Sequence, residues 1–360
     1  MQAWRVHTPG EPREAMRLEE VPEPVPGEGE VRLKVLAANV NFPDALLVRG
    51  QYQIRPPLPF TPGVEICGET DDGRRVIANP SLPHGGFAEY VTAPARALLP
   101  APESLDDAQA AALHIGYQTG WFGLHRRARL QPGETLLVHA AAGGVGSAAV
   151  QLGKAAGATV IGVVGGKAKA RTAEELGCDL VIDRTGEDLV ARVKEFTGGR
   201  GADVVYDPVG GDAYTASAKC VAFEGRIVVV GFASGTIPTP ALNHALVKNY
   251  AILGLHWGLY AAKDPAAILA CHTELTRLAA QGAITPLVSE RVPLAAAADA
   301  VQRLADGSTT GRLVVVPSLN PDASTGPTTS TTSTGPTPST GPTPSTGPTT
   351  PSTSPTGAAR

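Results

Sequence analysis

Short apolar runs recur along the middle of the chain, and their spacing predicts a parallel sheet. Consecutive runs start roughly two dozen residues apart, which leaves room for a strand, a helix and two turns. Helix-like segments such as Ser147–Ala156 and Lys167–Leu176 lie between runs, and Gly157 and Gly177 follow them where C-terminal helix caps belong. The pattern therefore indicates a doubly wound α/β sheet with one parallel strand per run. The six runs are Thr135–Ala140, Thr159–Val164, Leu180–Asp183, Ala202–Asp207, Arg226–Gly231 and Ala251–Leu255.

The segments on both sides of these runs predict a second, β-rich domain made from the two ends of the chain. In the N-terminal part, Val31–Val35 alternates apolar and charged residues, as a half-buried strand does. Short apolar pieces recur there between Gly and Pro residues, which is typical of a compact, irregular barrel. After the runs, Pro265–Gln281 is expected to form a helix, and Leu287–Val292 and Arg312–Val316 are expected to be strands that complete the first domain.

The last part of the chain, residues 321–360, has a composition that cannot form a core. It contains 14 Thr, 9 Pro, 7 Ser and 5 Gly and no large apolar side chain. The unit Ser-Thr-Gly-Pro begins at Ser324, Ser333, Ser339 and Ser345. We expect a disordered tail that leans toward polyproline conformation, with no role assigned to it.

The overall composition excludes several classes of protein. The 360 residues include 34 acidic and 30 basic ones, and this net charge of −4 argues against a nucleic-acid-binding surface. No run approaches the ~18 apolar residues of a membrane span, and Met1–Arg5 lacks the layout of a signal peptide. Four cysteines without a CxxC pair argue against a structural zinc site and a disulfide framework. We expect a soluble, cytoplasmic protein that binds neither nucleic acid nor a membrane.

A glycine-rich turn after the first apolar run is the sharpest local feature of the sequence. The segment Leu136–Ser147 reads as a strand that enters a turn at Gly143-Gly144-Val145-Gly146 and continues as a helix. Glycines let the backbone approach a pyrophosphate, and the helix N-terminus offers free N–H groups and the positive end of its dipole. An ordinary structural turn is the alternative, but the position after the first of six strands favours a dinucleotide site.

The residues after the second and third runs indicate which dinucleotide binds. Sheets that bind NAD usually carry an acid at the end of the second strand, which would repel a 2′-phosphate. Here that strand ends in Gly165-Gly166 without an acid, which favours NADPH. A solvated helix face would also explain nearby cations, though not the missing acid, and Asp183 on the neighbouring strand weakens the argument. The cations that follow are Lys167, Lys169, Arg171 and Arg184.

Further short segments form, together with the glycine turn, one ordered series from residue 1 to about residue 317. The series resembles the zinc-free quinone oxidoreductase branch of the medium-chain dehydrogenase/reductase superfamily. The tail lies outside this resemblance. The segments are Asn39–Asp44, Arg49–Tyr52, Leu58–Glu65, Gly85–Tyr90, Gly201–Gly211 and Gly231–Ala233.

The resemblance implies a division of the chain into domains. A GroES-like β-barrel catalytic domain would comprise residues 1–122 and 262–318, and a Rossmann domain with a doubly wound parallel six-stranded sheet would comprise residues 123–261. Residues 319–360 would form the disordered tail. The substrate would meet the nicotinamide in a cleft between the domains. The resemblance also implies a homodimer joined through the last Rossmann strand, Ala251–Leu255, whose unpaired edge gives a physical motive for pairing.

The resemblance also assigns cofactor-binding positions and argues against zinc. Zinc-dependent relatives have Cys, His and Cys ligands at the positions of Asn41, Val64 and Ile115, with a Glu at Glu65. Valine and isoleucine cannot coordinate a metal, so no metal is expected. Gly143, Gly144, Val145 and Gly146 would approach the pyrophosphate, Lys169 and Arg184 would face the 2′-phosphate, and Thr119, Val209, Gly231, Phe232 and Ala233 would border the nicotinamide.

Without zinc, reduction suits such a site better than alcohol oxidation. Negative charge develops on a carbonyl oxygen during hydride transfer to a quinone, and placed donors stabilise it. Tyr52 is the candidate donor and the Asn41 amide its helper; a buried ring and a turn-stabilising side chain are the respective alternatives. A reductase of enones or enoyl thioesters remains open. Arg49 and Arg55 could serve as cations for a CoA ester, although ordinary surface charge explains them equally well. A non-enzymatic NADPH-binding protein is the third possibility.

Overall fold

Residues 1–320 are described by a computed structural model, and residues 321–360, on which the prediction of a disordered tail falls, lie outside the described residues.

Most of the regular elements in the first 100 residues are β-strands. Two short helices, α1 (Pro12–Ala15) and α2 (Phe42–Val48), interrupt the strands. The strands are β1 (Gln2–Val6), β2 (Met16–Glu20), β3 (Glu30–Asn39), β4 (Ile66–Thr70), β5 (Arg75–Ala78), β6 (Tyr90–Pro94) and β7 (Leu99–Pro100).

The middle of the chain alternates strands and helices. Two helices, α3 (Asp107–Ala111) and α4 (His114–Trp121), lead into a π-helical turn at Phe122–Arg127. The strands that follow are β8 (Thr135–His139), β9 (Thr159–Val164), β10 (Leu180–Asp183), β11 (Ala202–Asp207), β12 (Val221–Val229) and β13 (Ala251–Gly254). The helices are α5 (Gly144–Ala155), α6 (Lys167–Glu175), α7 (Leu189–Phe196), α8 (Asp212–Cys220), α9 (Leu242–Lys248) and α10 (Gly258–Lys263).

The prediction of a six-stranded parallel sheet is confirmed. The strands lie in the order β10-β9-β8-β11-β12-β13, and every neighbouring pair is parallel. All five residues of the central strand β8 are buried, which explains its apolar run. Strand β12 begins at Val221, before the predicted start at Arg226, and its register with β11 shifts between the pairs Ala202–Val221 and Val204–Arg226. Glu224, with φ +56°, lies in this irregular part, where apolar periodicity is lost.

The two ends of the chain meet in the other large sheet. The C-terminal elements are α11 (Pro265–Ala280), β14 (Val288–Pro293), α12 (Ala297–Ala305) and β15 (Arg312–Val316). Strand β15 pairs with β3 through Val314–Asn39 and Val315–Ala38, so the sheet runs β14-β15-β3-β4-β5-β7, with β6 also on β3. We call this sheet and its helices the barrel half, and the parallel sheet with its helices the Rossmann half. The predicted domain borders after residues 122 and 261 stay predictions.

Hydrogen bonds join the two halves beside the glycine turn. The Gly311 N–H, just before β15, donates to the Ala142 carbonyl at 2.7 Å. The Gln151 side chain on α5 exchanges two hydrogen bonds with the backbone of Thr285, at 3.0 and 2.6 Å. The loop that precedes β15 is therefore held directly against the turn between β8 and α5. Within residues 1–320 no helix has the length and apolar character needed to cross a bilayer.

Ala140, the residue that links β8 to the glycine turn, has a backbone conformation unusual for alanine. Its φ is +51°, in the left-handed region, where a Cβ is disfavoured. This conformation directs the Ala140 carbonyl to the Gly143 N–H at 2.8 Å. It also brings the carbonyl so close to Gly146 that a Cβ there would overlap its oxygen. The turn thus combines an alanine in a strained conformation with Gly146, where any side chain would force the backbone to move.

Substitutions at Ala140 test this strain. Ala140→Gly removes the steric cost of a positive φ, so the free energy of unfolding should stay unchanged or rise by up to about 1 kcal/mol. Ala140→Val should lower it by about 1–3 kcal/mol, because a β-branched residue is more strongly disfavoured at that φ. Urea-unfolding curves measure both changes.

Ala191, exposed on helix α7, provides the matched control. Its conformation is helical, so Ala191→Gly should lower the free energy of unfolding by about 0.5–1 kcal/mol. Equal stability of the Gly and Val variants at position 140 would contradict the assigned strain.

Candidate functional site

The glycine turn presents the N-terminus of a twelve-residue helix at the C-terminal edge of the parallel sheet. Helix α5 begins at Gly144, and Gly143, with φ −88° and ψ 176°, is the extended residue before it. The first N–H groups of a helix have no acceptor within the helix, and its dipole is positive at that end. Gly144, Val145 and Gly146 therefore lie in the first helical turn, where an anionic diphosphate is stabilised.

Two cations lie together at the ends of the second and third parallel strands. The Arg184 guanidinium covers Gly165, where a Cβ would lie 3.1 Å from Nη2. Lys169 donates from Nζ to the Gly307 carbonyl at 2.8 Å. Burial and the charge of Arg184 lower the pKa of Lys169. Two like charges brought together in this way favour an anion between them.

Asp183, the acid that weakened the NADPH prediction, accepts hydrogen bonds from the loops that follow β9 and β10. Its Oδ1 accepts hydrogen bonds from the Gly166 N–H at 2.8 Å and from the Thr185 hydroxyl at 2.7 Å. These bonds, with that from Gly166 the strongest influence, lower the pKa of Asp183. The carboxylate therefore stabilises the turn between β9 and α6.

The predicted nicotinamide-binding residues come from separate elements. The Asp207 carboxylate ends β11 and accepts from the Val209 N–H at 2.8 Å. The loop after β12 folds onto this segment, and the Ala233 N–H donates to the Pro208 carbonyl at 3.1 Å. Val209 and the Gly231, Phe232 and Ala233 stretch are thus brought together, with Phe232 36% exposed. Thr119 is buried on α4, which packs along α5.

The three positions that correspond to zinc ligands are connected by hydrogen bonds in the barrel half. Glu65, fully buried, accepts from the Ile115 N–H at 2.6 Å and from the Asn41 amide at 2.8 Å. Burial raises the pKa of Glu65, and the guanidinium of Arg312 opposes that rise. Among residues 1–320 no group of three or more His, Cys, Asp or Glu side chains is placed to hold a metal ion.

A second buried carboxylate fixes the backbone around these positions. Asp44 accepts from the N–H groups of Asn41, Gly63 and Val64 at 2.8, 2.9 and 3.1 Å. Burial raises the pKa of Asp44 to about 7, against the opposing effect of these three donors. The sequence analysis did not identify this role, because Asp44 looks like an ordinary helix-start residue next to Pro43.

Asn41, the predicted helper donor, is buried and hydrogen-bonded within the protein. Its side chain is 3% exposed, and both ends of its amide have protein partners. Nδ2 donates to Glu65, while Oδ1 accepts from Arg312 Nη1 at 2.8 Å. A direct contact of Asn41 with substrate stays a prediction, and the geometry favours a role in organising the pocket.

Tyr52 is half-buried on the loop that follows α2. It packs against the core of the barrel half, and burial, helped by the charge of Asp44, raises the pKa of its hydroxyl. The next residue, Gln53, approaches His256 of the Rossmann half, with 3.1 Å between Nε2 atoms. Tyr52 therefore lies where the two halves face each other, and its role as donor stays a prediction.

The cations proposed for an acidic substrate tail differ in their surroundings. Arg49 forms a two-pronged ion pair with Glu11, at 2.9 and 2.7 Å. Arg55 is exposed on the loop that carries Tyr52. Arg49 is therefore already paired with Glu11 within the barrel half.

Arg312 is a site residue that the sequence analysis missed. It is only 5% exposed, and its guanidinium lies between the glycine turn and Asn41. One signal was available: a single cation opens the otherwise apolar strand β15 directly after a glycine. A buried charge at such a position needs partners, and periodicity alone cannot identify them.

Comparisons with known proteins agree with this arrangement. Residues 27–103 match the family model described as alcohol dehydrogenase GroES-like domain, and residues 144–271 match that described as zinc-binding dehydrogenase. A polyketide synthase of Mycobacterium tuberculosis, described as mycocerosic acid synthase-like, is 32% identical over 323 residues. That match covers 86% of this chain and 15% of the synthase.

Two similar proteins match this chain over most of their own length. The quinone oxidoreductase-like protein 2 homolog of Nematostella vectensis is 39% identical over 301 residues, which cover 80% of this chain and 82% of that protein. The Escherichia coli quinone oxidoreductase complexed with NADPH superposes with a TM-score of 0.82 at 31% identity, over 88% of this chain and all of that one. The chain therefore belongs to the zinc-free quinone oxidoreductase branch of the medium-chain dehydrogenase/reductase superfamily.

Proposed function

We propose that the protein is an NADPH-dependent reductase that transfers hydride to a quinone without zinc. The observation that carries the proposal is the pair of cations Lys169 and Arg184 after β9 and β10, the strands on one side of β8, whose own end leads into the glycine turn at a helix N-terminus. The E. coli relative, a quinone oxidoreductase in complex with NADPH, supports the same assignment. Val64 and Ile115, at positions of zinc ligands in zinc-dependent relatives, support a reaction without that metal.

The residues of the cofactor site fit NADPH from one end to the other. Gly143, Gly144 and Gly146 have no side chain where a diphosphate must approach the backbone N–H groups of the turn. Lys169 and Arg184 supply charge for the 2′-phosphate, and Asp183 is held by its loop. Val209 and the segment at Gly231 border the nicotinamide end. NADPH supplies the hydride when it is bound there.

Tyr52 is the proposed donor to the substrate oxygen on which negative charge develops. A tyrosine hydroxyl is protonated at neutral pH, and burial raises the pKa of Tyr52 further, so it donates as a neutral phenol. The pocket needs no buried acid for this step, and water can provide the final proton. The Asn41 amide donates to Glu65, and this hydrogen bond fixes the orientation of the Asn41 side chain.

Reduction of an activated carbon–carbon double bond is the second candidate. The M. tuberculosis polyketide synthase matches 86% of this chain, and this match favours a thioester as the alternative substrate class. Exposed Arg55 offers a cation to an acidic carrier near Tyr52. A non-enzymatic NADPH-binding protein is the third candidate and predicts binding without turnover.

The proposed function is tested by NADPH oxidation at 340 nm with two substrate classes. We expect an ortho-quinone to be reduced with a higher kcat/KM than a short α,β-unsaturated thioester, because the pocket offers apolar surface and a single neutral donor. Faster thioester reduction would move the assignment to the second candidate. Tight NADPH binding with no turnover of either substrate would favour the third.

NADH provides the control for the cofactor site. We expect NADPH to be preferred over NADH by at least about tenfold, the effect of a charge-assisted hydrogen bond. Lys169→Gln should reduce this preference and leave NADH turnover nearly unchanged. A preference for NADH in the unaltered protein would contradict the roles of Lys169 and Arg184.

Removal of the Tyr52 hydroxyl tests its role. Tyr52→Phe should lower kcat/KM for the quinone about 10- to 100-fold, as loss of a donor to a developing oxyanion does. The NADPH Kd should not change, because the hydroxyl acts on the substrate. Tyr90→Phe is the control: Tyr90 is half-buried in the barrel half under the guanidinium of Arg32. Unchanged turnover of the Tyr52→Phe variant would remove Tyr52 from the mechanism.

A second copy of this chain is the proposed protein partner. Strand β13 is the last strand of the parallel sheet, so one of its edges is unpaired within residues 1–320. Helix α9, just before it, exposes Leu242, Leu246 and Val247 by 74, 76 and 73%. Apolar side chains this exposed on one short helix mark an interaction surface.

A charge on this surface tests the dimer. Analytical ultracentrifugation should give about twice the 37.0 kDa of one chain, and Leu246→Glu should raise the dimer dissociation constant at least about tenfold. Val25, 88% exposed on a loop, is the control, and Val25→Glu should leave the dimer intact. A monomeric unaltered protein at micromolar concentration would contradict the proposal.

A further inference from the structure

Arg312 is the residue through which the barrel half reaches the glycine turn. Its Nε lies where a Cβ on Gly144 would be only 2.5 Å away, so the guanidinium rests against the first residue of α5. On its other side, Nη1 donates to Asn41 Oδ1 at 2.8 Å. The preceding residue, Gly311, donates its N–H to Ala142 at 2.7 Å and fixes the start of β15 beside the turn.

The contact with Asn41 continues to a buried carboxylate. Asn41 accepts from Arg312 through Oδ1 and donates through Nδ2 to Glu65 Oε2 at 2.8 Å. Glu65 Oε1 accepts from the Ile115 N–H at 2.6 Å. A buried cation and a buried anion are thus joined by one amide. Buried charges are tolerated when they are paired and hydrogen-bonded, so each member of this chain of bonds restrains the others.

Two glycines leave room for the guanidinium. A Cβ on Gly116 of α4 would overlap Nη2, and a Cβ on Gly144 would crowd Nε and Nη1. Arg312 Nη2 is buried and has no hydrogen-bond partner among the described residues. With backbone on both sides, Arg312 depends on Asn41 for its orientation, and a change at Asn41 is transmitted to the turn.

We propose that Arg312 is a positioning residue that couples the cofactor turn to the substrate pocket through the Asn41 amide and Glu65. The proposal rests on the proposed function only in taking the turn to be the NADPH site. No hydrogen bond joins Asn41 to the turn itself within residues 1–320. Asn41 should nevertheless affect NADPH affinity, and it should do so only while Arg312 is present.

A double-mutant cycle on NADPH affinity tests the coupling. Asn41→Leu removes the amide without changing the charge of the site, so direct electrostatic effects on the cofactor are excluded. In the otherwise unaltered protein it should raise the NADPH Kd at least about fivefold, the lower end of typical coupling between sites. In the Arg312→Met background the same substitution should change the NADPH Kd by less than about twofold, as independent sites do. Quenching of protein fluorescence by NADPH gives all four dissociation constants.

The matched control is another amide of the barrel half. Asn79 donates to the Val64 carbonyl at 2.7 Å and lies 2.9 Å from His114 Nε2, and its bonds do not involve Arg312. Asn79→Leu should leave the NADPH Kd unchanged in both backgrounds. Thermal melts establish that each variant is folded, and Asn41→Ser takes the place of Asn41→Leu if the latter does not fold.

Three outcomes are distinct. An effect of Asn41 that disappears without Arg312 supports the proposal. An unchanged NADPH Kd in the Asn41 variants, or an equal change in both Arg312 backgrounds, overturns it while NADPH binding itself stands. Failure of the unaltered protein to bind NADPH would instead overturn the proposed function, and the coupling with it.

Discussion

The turn between β8 and α5 packs backbone against backbone, and the rest of the site depends on this close approach. Gly146 has no room for a Cβ because the Ala140 carbonyl occupies that space, and Ala140 reaches this position only with φ +51°. The same closeness lets Gly311 bond to Ala142 and lets a guanidinium rest on Gly144. A side chain at these glycines would displace the helix N-terminus, the barrel half or Arg312. The steric constraint therefore sets both where an anion can approach and how the two halves meet.

Burial of charge is the second organising feature, and three of the buried charged side chains lie in the barrel half near Asn41. Asp44, Glu65 and Arg312 are all nearly inaccessible to solvent, a state that is costly for any charged group alone. Asp44 is compensated by three backbone N–H donors, and Glu65 by Ile115, two asparagine amides and the charge of Arg312. Where zinc-dependent relatives place a metal and its ligands, this chain has Glu65 linked to Arg312 through the Asn41 amide, with apolar Val64 and Ile115 beside it. The pocket is thereby organised by the protein's own charges.

The sequence was sufficient for features that depend on local periodicity and insufficient for those that depend on distant contacts. The apolar runs predicted all six parallel strands, since strands buried on both faces are apolar throughout. They missed the early start of β12, where the bulge near Glu224 breaks the pattern. Arg312 and Asn41 are 271 positions apart, and no local pattern reports that they share a hydrogen bond. For the same reason, the sequence could not show that the Asn41 amide has protein partners at both ends.

The two ends of the site differ in how specifically they are built, and this difference bears on its chemistry. At the cofactor end, a helix N-terminus, two neighbouring cations and side-chain-free backbone all favour a long, multiply charged ligand. At the proposed substrate end, Tyr52 is half-buried, and the nearby Asn41 amide is already hydrogen-bonded to Glu65 and Arg312. In the proposed function, binding energy is therefore concentrated on the hydride donor, and the acceptor is selected by shape, apolar surface and one hydrogen bond. A site of this kind discriminates poorly among flat, electron-poor acceptors, because a hydrophobic pocket gains little from small differences between them. The identity of the acceptor must then depend on features outside this pocket. The exposed cation Arg55, on the same loop as Tyr52, is the residue at which binding of a quinone and binding of a charged thioester would differ most.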